Sequence, residues 1–161
     1  MATLYDILIR GGMIYDGSGK PATQGDVGVT GDMIALVGKA GSARGTVEID
    51  AAGLAVSPGF INMLSWAGDD LLADGRSQSD IRQGVTLEVM GEGTSMGPWN
   101  EAMKEHDLEH QGDIKYDVAW TTLGEFLDHL VKRGVSTNVA SFVGATTVRI
   151  HELGYVNRPP T

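Results

Sequence analysis

The residue pattern changes at Ser57-Pro58-Gly59, and this change limits the possible folds more than any other feature of the chain. Before it, short runs of strand-type residues are cut by turn signals. Tyr5 to Arg10 reads as a strand stopped by Gly11-Gly12, and Met13-Ile14-Tyr15 as another, closed by Asp16-Gly17-Ser18-Gly19. Gly25 to Val29, Met33 to Val37, Thr46 to Ile49 and Leu54 to Val56 follow in the same style. Six short strands so closely punctuated predict an all-β module, a sandwich or small barrel.

After Pro58-Gly59 strands alternate with helices. Phe60 to Leu64 is a short apolar run suited to a strand buried on both faces. Ser77 to Gln83 reads as a short helix with Ser77 as N-cap and Asp80 at its third position. Val85 to Met90 is a second strand, and Asn100 to Gln111 a polar helix capped by Asn100. Thr121 to Arg133 spaces Leu123, Phe126, Leu127 and Leu130 as an amphipathic helix does. Ser136 to Val143 is a third strand, and Thr147 to Leu153 a helical turn or two. The alternation predicts parallel βαβ units. Three units cannot close a (β/α)₈ barrel, which takes roughly 250 residues, and this chain has 161. It stops at Arg158-Pro159-Pro160-Thr161, a helix-start signal, so the expectation is the front part of a larger protein.

Composition narrows the partners. Lys and Arg number 12 against 21 Asp and Glu, for a net charge of −9, so nucleic acid is not expected. No apolar run is long enough to span a membrane, and no membrane partner is expected. The absence of cysteine excludes a disulfide scaffold and a thiol nucleophile and fits a reducing compartment, so the expected location is cytoplasmic.

Several stretches resemble the amidohydrolase superfamily. Tyr5-Asp6-Ile7-Leu8-Ile9-Arg10-Gly11-Gly12 with Asp16-Gly17-Ser18-Gly19 is similar to its opening, as are Asp26 to Val29 and Ile49 to Ile61. Gly84-Val85-Thr86 through Gly91, and Leu123 to Leu127 with Asn138 to Gly144, resemble the second and third barrel units of its D-aminoacylase (N-acyl-D-amino-acid deacylase) branch. The resemblance implies a β-sandwich half-domain over 1–57 and the first three βα units of an incomplete (β/α)₈ barrel over 58–161. It implies hydrolysis of the amide of an N-acyl-D-amino acid or a related small amide, with a divalent metal, zinc in most such sites. The remaining ligands and the catalytic residue are expected beyond Thr161. The rest of the barrel would then come from a second chain or an oligomer.

The chain departs from that family at the metal positions. Where the family carries His-x-His after the first barrel strand, Leu64-Ser65-Trp66 stands here. Where the branch carries Gly-Asn-Cys-Gly, the chain reads Gly91-Glu92-Gly93-Thr94, so Glu92 is the candidate metal ligand. Ser65 is a candidate substrate contact. Arg149, at the rim of the third strand, is another, suited to a substrate carboxylate or equally to a surface ion pair. Trp66 reads as packing, Asp69 and Asp70 as solvated loop residues, and His129 and His151 as structural.

Two further readings compete. One is a catalytically inactive amidohydrolase-like protein kept for binding or assembly. The other is a metallopeptidase built on His106-Asp107-Leu108-Glu109-His110, which spells H-x-x-E-H. Against the latter, the helix that would carry it is polar all round and belongs on a surface.

Overall fold

β1 (Leu4–Ile14) organises the first part of the chain. The computed structural model describes residues 3–160, which divide into two compact units between Pro58 and Gly59. In the first unit β1 pairs antiparallel with β2 (Thr23–Thr30) and parallel with β4 (Arg44–Asp50). β3 (Met33–Gly38) lies antiparallel outside β2, and the short β5 (Ala55–Val56) runs parallel beside the end of β1. The described strands form a single five-stranded sheet in the order β3-β2-β1-β4, with β5 on β1.

Gly11-Gly12 does not end the first strand, as the sequence suggested. It bulges it. The register passes from Ile9↔Val27 to Gly12↔Gly25, so Arg10 and Gly11 together stand opposite Asp26. Gly11 takes a φ of +72°, and its N–H donates to Asp26 Oδ1 at 2.9 Å. The other carboxylate oxygen of Asp26 accepts the Ala40 N–H at 2.8 Å. Leu8 is wholly buried, while Ile7, its register partner Val47, and Ile49 on the same face keep 37–51% of their surface exposed. That face of the sheet is apolar and open.

The second unit is a parallel three-stranded sheet, β6 (Phe60–Asn62), β7 (Val85–Met90) and β8 (Asn138–Ser141), in the order β6-β7-β8. Its helices are α1 (Gly68–Ala73), α2 (Gln78–Ile81), α3 (Glu101–His110), α4 (Leu123–Arg133) and α5 (Ala145–Leu153). α4 forms where predicted because its ends are specified. Thr122 Oγ1 accepts the Glu125 N–H, the Glu125 carboxylate accepts the Thr122 N–H, and Gly134 ends the last turn. Its apolar stripe packs Phe126 and Leu130 against Leu71, Leu72, Met90 and Trp120. Burying each such side chain contributes about 1.5–3 kcal/mol.

Two expectations fail here. α1 was not foreseen, and it places Asp69 and Asp70 in a helical first turn instead of a loop. Ser77 does not cap α2; it sits at φ +46°, ψ +44°, with no side-chain cap. Its hydroxyl is used elsewhere. No helix among the described residues is long and apolar enough to cross a membrane.

Candidate functional site

The carboxyl ends of β6, β7 and β8 open onto a cleft of about 380 Å³. Ser65 and Trp66 follow β6 into it, Gly91 and Glu92 follow β7, and Ser141 ends β8 at its wall. Parallel strands present their last residues on one side, which is why such ends gather functional groups.

Local geometry fixes each segment. The Ser65 N–H donates to the Val89 carbonyl at 3.0 Å, which holds the segment after β6 alongside β7. Gly91 turns the chain at φ +94°, with its α-carbon against the Phe142 carbonyl, where no Cβ would fit. Farther along, Ser95 Oγ accepts the Gly144 N–H at 2.9 Å and the Thr147 hydroxyl accepts the Ser95 N–H at 2.7 Å. These bonds tie the loop after β7 to the start of α5.

Ser65 is buried, and its hydroxyl donates to Glu88 Oε2 at 2.6 Å. Glu88, mid-way along β7, is fully buried; its Oε1 accepts from Ser77 Oγ and Thr137 Oγ1, both at 2.9 Å. The Ser77 hydroxyl expected to cap α2 is therefore spent on this carboxylate. Sequence reading missed Glu88 altogether.

α3 contributes one face to the cleft through Met103, His106, Asp107 and His110, at helical spacing. The helix is otherwise polar and mostly exposed, as expected, with Met103 its one buried residue. The Tyr116 hydroxyl lies 3.1 Å from Asp69 Oδ1 and 3.3 Å from Asp107 Oδ1. Loss of hydration pushes the Asp69 carboxyl above its ordinary value, aided by the negative charges of Asp107 and Asp70 and opposed by the Tyr116 hydrogen bond. The same desolvation, with Asp69 and Asp107 adjacent, pushes the Tyr116 phenol up.

The sequence-predicted site residues separate into two places. Ser65 and the exposed Glu92 share the cleft. Arg149 does not line it: its Nη2 donates to the Val156 and Arg158 carbonyls at 3.1 and 2.8 Å. Trp66, read as packing, is 66% exposed at the cleft wall. His129 sits against the Trp120 ring, and His151 Nδ1 lies 2.7 Å from Glu152 Oε1.

The donor set does not fit a metal ion. Leu64 and Trp66 carry no ligating atom, the Ser65 hydroxyl is committed to Glu88, and Glu92 offers one carboxylate. Among the described residues no three His, Asp or Glu side chains are grouped to hold a metal. His106 and His110 do not converge on a point either. Their rings stack at 4.0 Å and 13°, His106 stacks equally on Tyr155, and His110 Nδ1 lies 2.7 Å from the His106 carbonyl. The H-x-x-E-H peptidase reading therefore lacks support.

Comparison with known proteins gives the lineage. The N-acyl-D-aspartate deacylase of Alcaligenes xylosoxydans xylosoxydans is 33% identical over 97% of this chain, which corresponds to 31% of that protein. The D-aminoacylase of the same organism is 32% identical over 98% of the chain and 32% of its own length. A solved D-aminoacylase, described as having a binuclear metal centre, superposes over 98% of the chain and 33% of its own, with TM-score 0.84 and 32% identity. The chain is a homologue of the D-aminoacylases, within the amidohydrolases. The N-acyl-D-glutamate deacylase of Bordetella bronchiseptica, solved with zinc and a phosphonate mimic of the tetrahedral intermediate, is 26% identical with TM-score 0.81, over 98% of this chain and 33% of that one. No family model matches. The chain spans about a third of the length of these D-aminoacylase relatives. They and this chain share mixed α/β content.

Proposed function

We propose that this chain forms the substrate-facing part of an enzyme that hydrolyses the amide of N-acyl-D-amino acids. The observation that carries this reading is similarity to two D-specific deacylases along 97–98% of the chain. The cleft at the strand ends supports it, since barrel hydrolases do their chemistry there.

In this reading residues 1–57 are a β-sandwich half-domain, and residues 58–161 are the first three βα units of a (β/α)₈ barrel. The open apolar face of the first sheet would take a second layer. In the second unit, Ile61 lies in register with Leu87, on the opposite face from the core residue Met90, and is 55% exposed. Further strands, from a second chain or an oligomeric partner, would cover that face and pair the open edges of β6 and β8.

The chemistry assigned to this chain is binding and orientation. Ser65 contacts the substrate, and the Trp66 and Trp99 rings bound the cleft. Glu92, exposed at the end of β7, brings a carboxylate to the same cleft.

The test is release of free amino acid from N-acetyl-D- and N-acetyl-L-leucine by the intact protein. D-selective release is expected. Release from neither enantiomer, in preparations supplied with zinc, would overturn the reading.

A further inference from the structure

Glu88 has a chemical consequence for the cleft although it exposes no surface there. It lies on the helix-facing side of β7 with 0% exposure. A carboxylate in that position must be met by donors or it is costly to bury. Among the described residues its hydrogen-bond partners are three hydroxyls from three separate segments: Ser65 after β6, Ser77 before α2 and Thr137 before β8. No Lys or Arg among the described residues forms a salt bridge with it.

Each of the three hydroxyls donates to a carboxyl oxygen of Glu88. This fixes the polarity of Ser65, whose proton points inward along a 2.6 Å bond to Glu88 Oε2. One lone pair of Ser65 Oγ takes the Ala67 N–H at 3.2 Å. What the residue has left for a ligand is acceptor capacity alone.

We propose that Glu88 is a positioning residue: it makes Ser65 an obligate hydrogen-bond acceptor in the cleft, and the group accepted is the N–H of the substrate amide. The inference rests on the deacylase reading and adds to it a discrimination between amides and esters. An ester carries oxygen where the amide carries N–H, and two lone pairs facing one another repel.

The decisive variant is Glu88→Gln. Oε1 of Glu88 receives two hydroxyls and Oε2 one. In the variant the carboxamide oxygen therefore belongs at the doubly bonded position, and its NH₂ falls on Ser65. Ser65 must then accept from within and turn its proton to the cleft, which inverts its polarity.

The experiment measures KM and kcat of the intact protein for N-acetyl-D-leucine and for its ester counterpart, the O-acetylated (R)-hydroxy acid. The unmodified protein is expected to have the lower KM for the amide. Glu88→Gln should raise the amide KM about tenfold, with kcat nearly unchanged, and leave the ester KM level or lower. Ser65→Ala should abolish the difference in KM, and adding Glu88→Gln to it should change nothing further. Thr137→Val removes a hydroxyl from the same carboxylate without touching Ser65. It should lower the thermal midpoint and keep the amide-to-ester ratio.

A folded Glu88→Gln protein with the original ratio would overturn the inference. So would a ratio displaced as far by Thr137→Val as by Glu88→Gln, since the network would then act only through stability. If Glu88→Gln does not fold, Ser65→Ala against Thr137→Val decides, because only the former should change the ratio. Hydrolysis of neither compound by the unmodified protein would instead remove the deacylase reading on which the inference stands.

Discussion

Gly91 and Phe142 meet backbone to backbone: the α-carbon of Gly91, at φ +94°, lies against the Phe142 carbonyl with no room for a side chain. This contact sets where β7 ends and where Glu92 enters the cleft. Gly91→Ala would combine a disfavoured backbone conformation with a collision against the carbonyl of Phe142, a residue whose own N–H is bonded to the Met90 carbonyl. We expect a loss of about 2–4 kcal/mol, read as a lowered urea midpoint. A midpoint within error of the unmodified protein would show that the strand ends shift freely.

In the first unit, Arg10 bonds Glu48 at 2.9 Å, and the Gly45 N–H donates to the same carboxylate. The Arg10 guanidinium, chiefly through its hydrogen bond, lowers the Glu48 carboxyl from 4.5 to about 2. A carboxyl lowered by folding contributes stability that is present above its unfolded value and is lost as pH falls through the folded one. The stabilising contribution of Glu48 should therefore fade between about pH 4.5 and about pH 2. Glu48→Gln should flatten that part of the acid limb in a pH series of thermal melts.

Asp69 has the opposite sign. Its carboxyl is raised in the folded chain, chiefly by desolvation. The protonated form is thus favoured, and the associated stability is present at low pH and lost as pH rises through the raised value. The Tyr116 hydroxyl lies within hydrogen-bond distance of both carboxyls, and the negative charge of Asp107 adds to the desolvation of Asp69. Asp69→Asn should remove this decline and raise the thermal midpoint at neutral pH. A lower neutral midpoint would contradict the assignment.

The core prediction is simpler. Phe126 is wholly buried and touches Trp120 at a ring-centroid distance of 5.1 Å. Phe126→Ala should cost about 3–5 kcal/mol through lost burial and the cavity left behind. Chemical denaturation measures it directly.

What was legible in the sequence follows from the range of the forces involved. β7, the Asn100 cap and the amphipathic helix ending at Arg133 depend on residues within a few positions, and they form where the pattern placed them. The bulge at Gly11 was read as a stop because its partner, Asp26, lies across the sheet. Ser77 looked like a cap because nothing local shows that its hydroxyl belongs to Glu88, 11 residues away. Glu88 itself reads as a solvent-facing residue of an alternating strand; its other two partners stand 23 and 49 residues off. α1 has no side-chain cap and is only 6 residues long, so it left little local signature. The cleft face of α3 escaped notice because it is built from Met103, His106, Asp107 and His110 rather than from an apolar stripe.

The most direct measurement of the central claim is hydrogen exchange of the intact protein with and without a phosphonate analogue of an N-acyl-D-amino acid, alongside inhibition of hydrolysis. The account predicts inhibition together with slowed exchange over residues 64–70 and 90–96, the segments that follow β6 and β7. Inhibition with unchanged exchange in both segments would contradict it.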